Sequence, residues 1–193
     1  MSGLARSTSR AFLTIAAVLG LLASGSAALA ATPSQAPRDQ AHYQTWLKQE
    51  VRHRLVMLPY LTLFDNLQYQ VNGTEVTLSG QVVRPSLKDD AGRTVKGIEG
   101  VTKVDNQIKV LPPSNMDNQI RRAEYRAIYG FAGLWKYAMG ALPPVHIVVD
   151  SGRVTLEGIV DSEADKNLIG LRAKTVPNVF SVTNNLQVAS SGK

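Results

Sequence analysis

Apolar residues recur every three or four positions along residues 40–58, as Tyr43, Leu47, Val51, Leu55 and Leu58, with Trp46 at the flank. That spacing predicts an amphipathic helix. Asp39 can cap its start, and Pro59 ends it. Residues 61–66 form a connection, in which Leu61, Leu63 and Phe64 are expected to close the helix end over the core. From Leu67 the period changes to two. Leu67, Tyr69 and Val71 alternate with Gln68 and Gln70, which predicts a half-buried strand. Residues 72–75 turn, and residues 75–83 form a second strand. Pro85 stops pairing, and Ser86 starts a second helix near residues 87–97. The Asp89-Asp90 pair lies in its first turn, where negative charge suits the helix dipole. Residues 103–110 form a third strand, with Val104, Asn106, Ile108 and Val110 on one side.

The same succession then returns. VNGTEVTLSGQV at 71–82 is answered by VDSGRVTLEGIV at 149–160. Val76-Thr77-Leu78 falls on Val154-Thr155-Leu156 and Gly80 on Gly158, an offset of 78. The offset holds without a gap through Lys88/Lys166, Gly92/Gly170, Lys96/Lys174, Val101/Val179, Val104/Val182, Asn106/Asn184 and Val110/Val188. About a third of positions from 71 to 110 match their partners, and the period exceeds the roughly 20–50 residues of solenoid units. This is a duplication of one small domain. The hairpin turns are placed at Asn72-Gly73 and Ser151-Gly152. In the second copy a helix is predicted over 117–129 with Ile120, Ala123, Ala127 and Ile128 inward. Strands follow at 145–149 and 153–160, a helix at 162–175 and a strand at 181–188. Ser162 and Asp165 have the spacing of a capping box. A strand reached through a helical crossover runs parallel to its neighbour. The predicted fold class is therefore α+β: two tandem αββαβ units, each a three-stranded mixed sheet with two helices on one face.

Of the 193 residues, 1–30 have the layout of a secretory signal peptide. Arg6 and Arg10 precede an apolar run over 11–22, and Ala28-Leu29-Ala30 is a cleavage site; an uncleaved anchor is the alternative. Residues 31–38 form a flexible linker, 39–111 the first domain, 112–116 a short linker, 117–188 the second domain and 189–193 a tail. Two of the 21 basic residues and none of the 15 acids lie in 1–30, so cleavage lowers the net charge from +6 to +4. That mildly basic balance permits attraction to anionic surfaces. The chain has no Cys, which removes disulfides, thiolate metal sites and a lipid-bearing thiol.

The chemistry-bearing residues are sparse. His42 and His53 are eleven residues apart on one helix, and His146 opens a strand, so solvent-facing or locally bonded histidine is favoured over a ligand or base. Asp89-Asp90 and the pair Glu163 and Asp165 each point to different helix faces, which leaves no paired carboxylates for acid–base work. Ser79 and Ser151 have no adjacent base. The glycines form no phosphate loop, and there is no basic stripe with interleaved aromatics for nucleic acid. No enzyme activity, metal or cofactor is expected. Gly80 and Gly158 are assigned to close approach of a helix to the sheet, and Asn106 and Asn184 to a backbone or edge hydrogen bond.

Two copies of Val-Thr-Leu-x-Gly-x-Val followed by Val-x-x-Val-x-Asn-x-(Ile/Leu)-x-Val resemble the BON domain. The resemblance covers about 51–110 and 129–188. Secreted tandem-BON proteins are similar to osmotically induced periplasmic proteins and to a group of outer-membrane lipoproteins. The resemblance implies a periplasmic, non-catalytic envelope module that binds anionic phospholipid surfaces or envelope proteins and supports osmotic stress tolerance. It would be peripheral to the membrane, with no mature transmembrane helix. The alternative is a chaperone or interaction module for exported clients.

The copies diverge at 130–142, GFAGLWKYAMGAL, which ends at Pro143-Pro144. Read as a helix, Phe131, Leu134, Trp135 and Ala138 share one face, with Lys136 and Tyr137 off it. Trp and Tyr favour membrane interfaces and Lys reaches lipid phosphate. Phe131, Leu134, Trp135, Lys136 and Tyr137 are therefore the candidate lipid or partner contacts. The other reading is that this segment completes the second core.

Overall fold

A computed structural model describes residues 36–189 of the chain. Residues 1–35 and 190–193, where the signal peptide, most of the flexible linker and the end of the tail are expected, lie outside the described residues. The elements run α1 (Ala36–Val56), β1 (Asn66–Asn72), β2 (Glu75–Val82), α2 (Pro85–Lys96), β3 (Lys103–Asn106) and β4 (Lys109–Val110). They repeat as α3 (Asn115–Tyr129), β5 (Val145–Asp150), β6 (Arg153–Val160), α4 (Glu163–Ala173), β7 (Ser181–Asn184) and β8 (Gln187–Val188). Among the described residues no helix is long and apolar enough to cross a membrane.

Both repeats share one topology. β1 pairs antiparallel with β2, and β3 and β4 both run parallel to β2 on its other side. The second sheet has the same order, β5-β6-β7, with β8 also on β6. The fold is α+β with two repeated units, and the third strand of each is interrupted. The cause is local. Asn106 turns its side chain back so that Oδ1 accepts from the Ile108 N–H at 3.3 Å. Asn184 does the same for Leu186 at 3.2 Å.

The other half of that carboxamide joins strand to helix. Asn106 Nδ2 donates to the Lys88 carbonyl of α2 at 2.7 Å, and Asn184 Nδ2 to the Lys166 carbonyl of α4 at 2.9 Å. Gly92 and Gly170 make room, because a Cβ on either would lie 2.7 Å from the Asn nitrogen. The close helix approach thus belongs to Gly92 and Gly170. Gly80 and Gly158 do something else, which corrects the expectation for them. They take φ of 105° and 121°, and a Cβ there would meet the carbonyls of Asn66 and Pro144 on the adjacent strand.

One face of each sheet is buried by both helices. Leu47, Val51 and Leu55 of α1 and Leu87, Ala91 and Val95 of α2 pack with Val76, Leu78 and Val82 of β2. In the second repeat Ile120 and Ile128 of α3 and Ile169 and Ala173 of α4 cover Val154, Leu156 and Val160. Each of these Leu, Ile and Val side chains contributes about 1.5–3 kcal/mol by leaving water.

Some boundaries differ from the pattern. α1 starts at Ala36, ahead of Asp39. Pro85 occupies the first turn of α2, where its missing N–H costs nothing. Ser114 caps α3, accepting from the Asp117 N–H at 3.1 Å, and Ser162 caps α4 through the Asp165 N–H at 3.1 Å. The first hairpin turns on Gly73-Thr74, since Asn72 already pairs with Glu75; the second turns on Ser151-Gly152 as expected.

The connection after α1 departs most. Leu61 packs on the first core, but Leu63 and Phe64 pack against the second. The Leu63 carbonyl accepts from the Ile147 N–H at 2.8 Å, on the outer edge of β5. Asp65 fixes this strap. Its carboxylate accepts from the Val83 N–H at 2.7 Å and from the Thr62 N–H and hydroxyl at 2.9 and 2.7 Å. Its carbonyl meets His146 Nδ1 at 2.6 Å. Lys109 and Asp150 add an ion pair between the repeats at 2.6 Å.

Asn184→Ala removes the acceptor of the buried Leu186 N–H and one bond to α4. It is expected to lower stability by about 1–3 kcal/mol. Asn106→Ala should cost a similar amount, read from urea denaturation midpoints of the two variants.

Candidate functional site

The segment after α3 is the divergent stretch, and its backbone explains how its side chains are sorted. Gly130 ends α3, its N–H bonding to the Arg126 carbonyl. The chain then proceeds in tight turns. Phe131 bonds back to Ile128, Leu134 to Phe131 and Tyr137 to Leu134, each three residues on. Trp135–Ala138 is a single 3₁₀ turn, and no α-helix forms. With three residues per turn, Tyr137 follows Leu134 inward and Trp135 does not; Phe131 lies ahead of the 3₁₀ turn and stays outside.

The five candidate residues are therefore divided, which corrects the shared helical face. Leu134 is fully buried and Tyr137 nearly so, both in the second core. Phe131, Trp135 and Lys136 lie outside, with Trp135 57% exposed. Met139, which the pattern did not single out, is 63% exposed beside them in sequence. The guanidinium of Arg172 sits 5.1 Å from the centre of the Phe131 ring.

Lys136 is not a free cation. Its Nζ bonds to Asp161 at 2.8 Å and Asp165 at 2.9 Å, and these carboxylates, Asp161 first, push its pKa up. The Tyr137 hydroxyl donates to Asp165 at 2.7 Å and accepts from the Asp161 N–H at 2.8 Å. Lys136 and then Tyr137 hold the Asp165 carboxyl below its ordinary range. This cluster pins the segment to the start of α4, so the exposed aromatic residues stand on a fixed base.

The other singled-out residues are structural. Gly80, Gly158, Asn106 and Asn184 serve the strand and helix contacts described above. His42 and His53 are exposed. His146 is spent on the Asp65 carbonyl, and burial lowers its pKa. Among the described residues no three His, Asp or Glu side chains are grouped to hold a metal ion.

The inner face of α3 is more polar than the hydrophobic pattern predicts. Asp117, Arg121 and Glu124 are buried there beside Ile120 and Ile128. Asp117 accepts from the Ser151 and Gly152 N–H groups of the hairpin turn at 3.0 and 2.8 Å. Arg121 donates to the Val149 carbonyl at 2.6 Å. Glu124 is 0% exposed, and neither carboxylate oxygen has a partner. The spacing Ile120–Glu124–Ile128 repeats Leu47–Val51–Leu55, so a carboxyl takes the place of Val51. The signal was present as an acid in the middle of an apolar stripe.

Burial raises the Glu124 pKa from 4.5 to about 8. Between those values the folded chain holds a proton that the unfolded chain releases, so stability falls as pH rises. The slope is at most about 1.4 kcal/mol per pH unit, flattening above about pH 8. Urea denaturation between about pH 6.5 and 8, above the range in which the lowered His146 pKa acts in the opposite sense, should show the slope, and Glu124→Gln should abolish it.

Comparison with known proteins places two matches on the chain. The BON domain is matched over residues 43–112 and again over 136–190. The second match begins beyond α3, Phe131 and Trp135, the part in which the repeats differ. Osmotically-inducible protein Y of Escherichia coli (strain K12) is 32% identical over 123 residues, covering 58% of this chain and 56% of that protein. The chain thus spans about half the length of the curated relative it matches. Two solved structures of CdsD, a structural protein of the type III secretion system of Chlamydia trachomatis, align at 13% identity. One, its C-terminal domain, has a TM-score of 0.27 and covers 74% of this chain and 96% of its own. The other has a TM-score of 0.28 and covers 75% and 93%.

Proposed function

We propose, since this chain belongs to the BON domain family and that family is non-catalytic, that it is a periplasmic module for binding at anionic phospholipid surfaces of the envelope. Likeness to an osmotically inducible protein supports a role in osmotic stress. The observation that carries the membrane contact is the exposed set Phe131, Trp135 and Met139, raised on the buried side chains of Leu134 and Tyr137. Aromatic side chains held rigidly at the surface enter the headgroup region at little entropic cost. Lys136 is neutralised by Asp161 and Asp165, so it stiffens the base and leaves phosphate attraction to the basic balance of the whole chain. Export through the signal peptide at 1–30 belongs to the same proposal.

Co-sedimentation with vesicles of phosphatidylglycerol and phosphatidylcholine tests this. Binding should rise with the phosphatidylglycerol fraction and fall with salt. Trp135→Ala should weaken it about tenfold, since partial transfer of one large side chain is worth about 1.4 kcal/mol. Its melting temperature should stay at the wild-type value. Leu134→Ala should instead destabilise by about 2–5 kcal/mol. Unchanged vesicle binding by folded Trp135→Ala would exclude the site.

A further inference from the structure

A groove of about 630 Å³ runs between the repeats, beside the outer edge of β1. Leu67 and Tyr69 of β1 line one side. Val56 of α1 joins them, and Leu142, Pro143 and Ile159 of the second repeat form the facing wall. Val56 and Ile159 are 45% and 54% exposed, so this apolar surface is open to water. The single Lys, Arg, Asp or Glu in the lining is Arg52.

Among the described residues the edge itself is unpaired. In an antiparallel ladder, alternate residues direct their N–H and C=O to the partner strand and the rest direct them outward. In the second repeat, Ile147 lies opposite Leu156 and spends its N–H outward, on the Leu63 carbonyl. The offset of 78 carries Ile147 to Tyr69, which lies opposite Leu78 in the same register. The N–H and C=O groups of Leu67, Tyr69 and Val71 therefore face outward. Among the described residues they have no main-chain partner. An exposed edge of this kind is a template for another strand.

The molecule already displays what such an edge takes. On β5 the equivalent position is covered by the strap, an extended piece of chain that brings Leu63 and Phe64 onto the second core. β1 has no strap. Its edge lies within a groove walled by both repeats, which admits a single extended chain more readily than the edge of a second folded copy.

We propose that the β1 edge binds an extended segment of another polypeptide as an added strand. Its main chain pairs with Leu67, Tyr69 and Val71. Its alternate side chains are apolar and fill the groove beside Val56 and Ile159, and an acidic side chain meets Arg52. Main-chain pairing of this type accepts many sequences, with selectivity set by alternate positions. The site is separate from Phe131 and Trp135, so its failure leaves the vesicle experiment untouched.

The probe is a fluorescein-labelled peptide of alternating valine and serine with one central glutamate, added to the full chain. A second peptide is N-methylated at every other residue, which keeps the side chains and removes the donors. The first should bind and slow amide exchange at Tyr69 and Val71. The N-methylated peptide should bind at least about tenfold more weakly. Arg52→Glu, an exposed position, should weaken the glutamate peptide about fivefold and favour one with lysine in its place. Equal binding of both peptides, protection confined to other strands, or no binding would overturn the proposal. So would protection of Tyr69 and Val71 without peptide. If it grows with protein concentration a second copy covers the edge; if it does not, the chain's own residues do.

Discussion

The contact on which each repeat depends is the side-chain amide that ties its closing strand to its second helix. Asn106 and Asn184 each use both ends of one carboxamide, the nitrogen on a helix carbonyl and the oxygen on a strand N–H. A parallel strand has no hairpin to set its register, because it arrives through a crossover. The carboxamide supplies that register. It can do so only where the helix backbone comes near, which is why Gly92 and Gly170 stand opposite it. Strand, helix and glycine form one constraint, and it has survived duplication when most of the helix surface has not.

Against that common frame the repeats have been put to different use. The first has an apolar inner helix, with Leu47, Val51 and Leu55 in its core. The second has replaced much of that face by Asp117, Arg121 and Glu124. Asp117 and Arg121 found partners on the second hairpin, while Glu124 is tolerated through its proton. The extra residues after α3 compensate, since Leu134 and Tyr137 add large side chains to the core that the polar helix face depletes. The exposed Phe131 and Trp135 are carried by the same insertion. Core repair and surface display are two sides of one 3₁₀ turn.

Much of this was legible from residue order. Alternation in β2 and β6 and the constant offset disclosed both sheets and their duplication, because half-buried strands must obey a period of two. Asn106 and Asn184 stood out as repeated polar residues in apolar strands. The segment 130–142 was less legible for a physical reason. Its residues fit an α-helical face, but the chain turns with three residues per turn, which sends Leu134 and Tyr137 inward. The strap was not legible at all. Leu63 and Phe64 look like the lid of the nearer core, and nothing local tells an apolar pair which of two neighbouring cores it will enter. Glu124 was hidden by the habit of counting acids as surface.

The strap carries a lesson about modularity. Leu63 and Phe64 are encoded in the first copy and spent in the second. A single repeat, standing alone, cannot use them so; the exchange needs two copies in one chain. A cut at the Pro112-Pro113 linker would leave the second repeat without two of the apolar residues that pack against its core. The two repeats thus share part of a core across their boundary, and the second is complete only with a piece of the first.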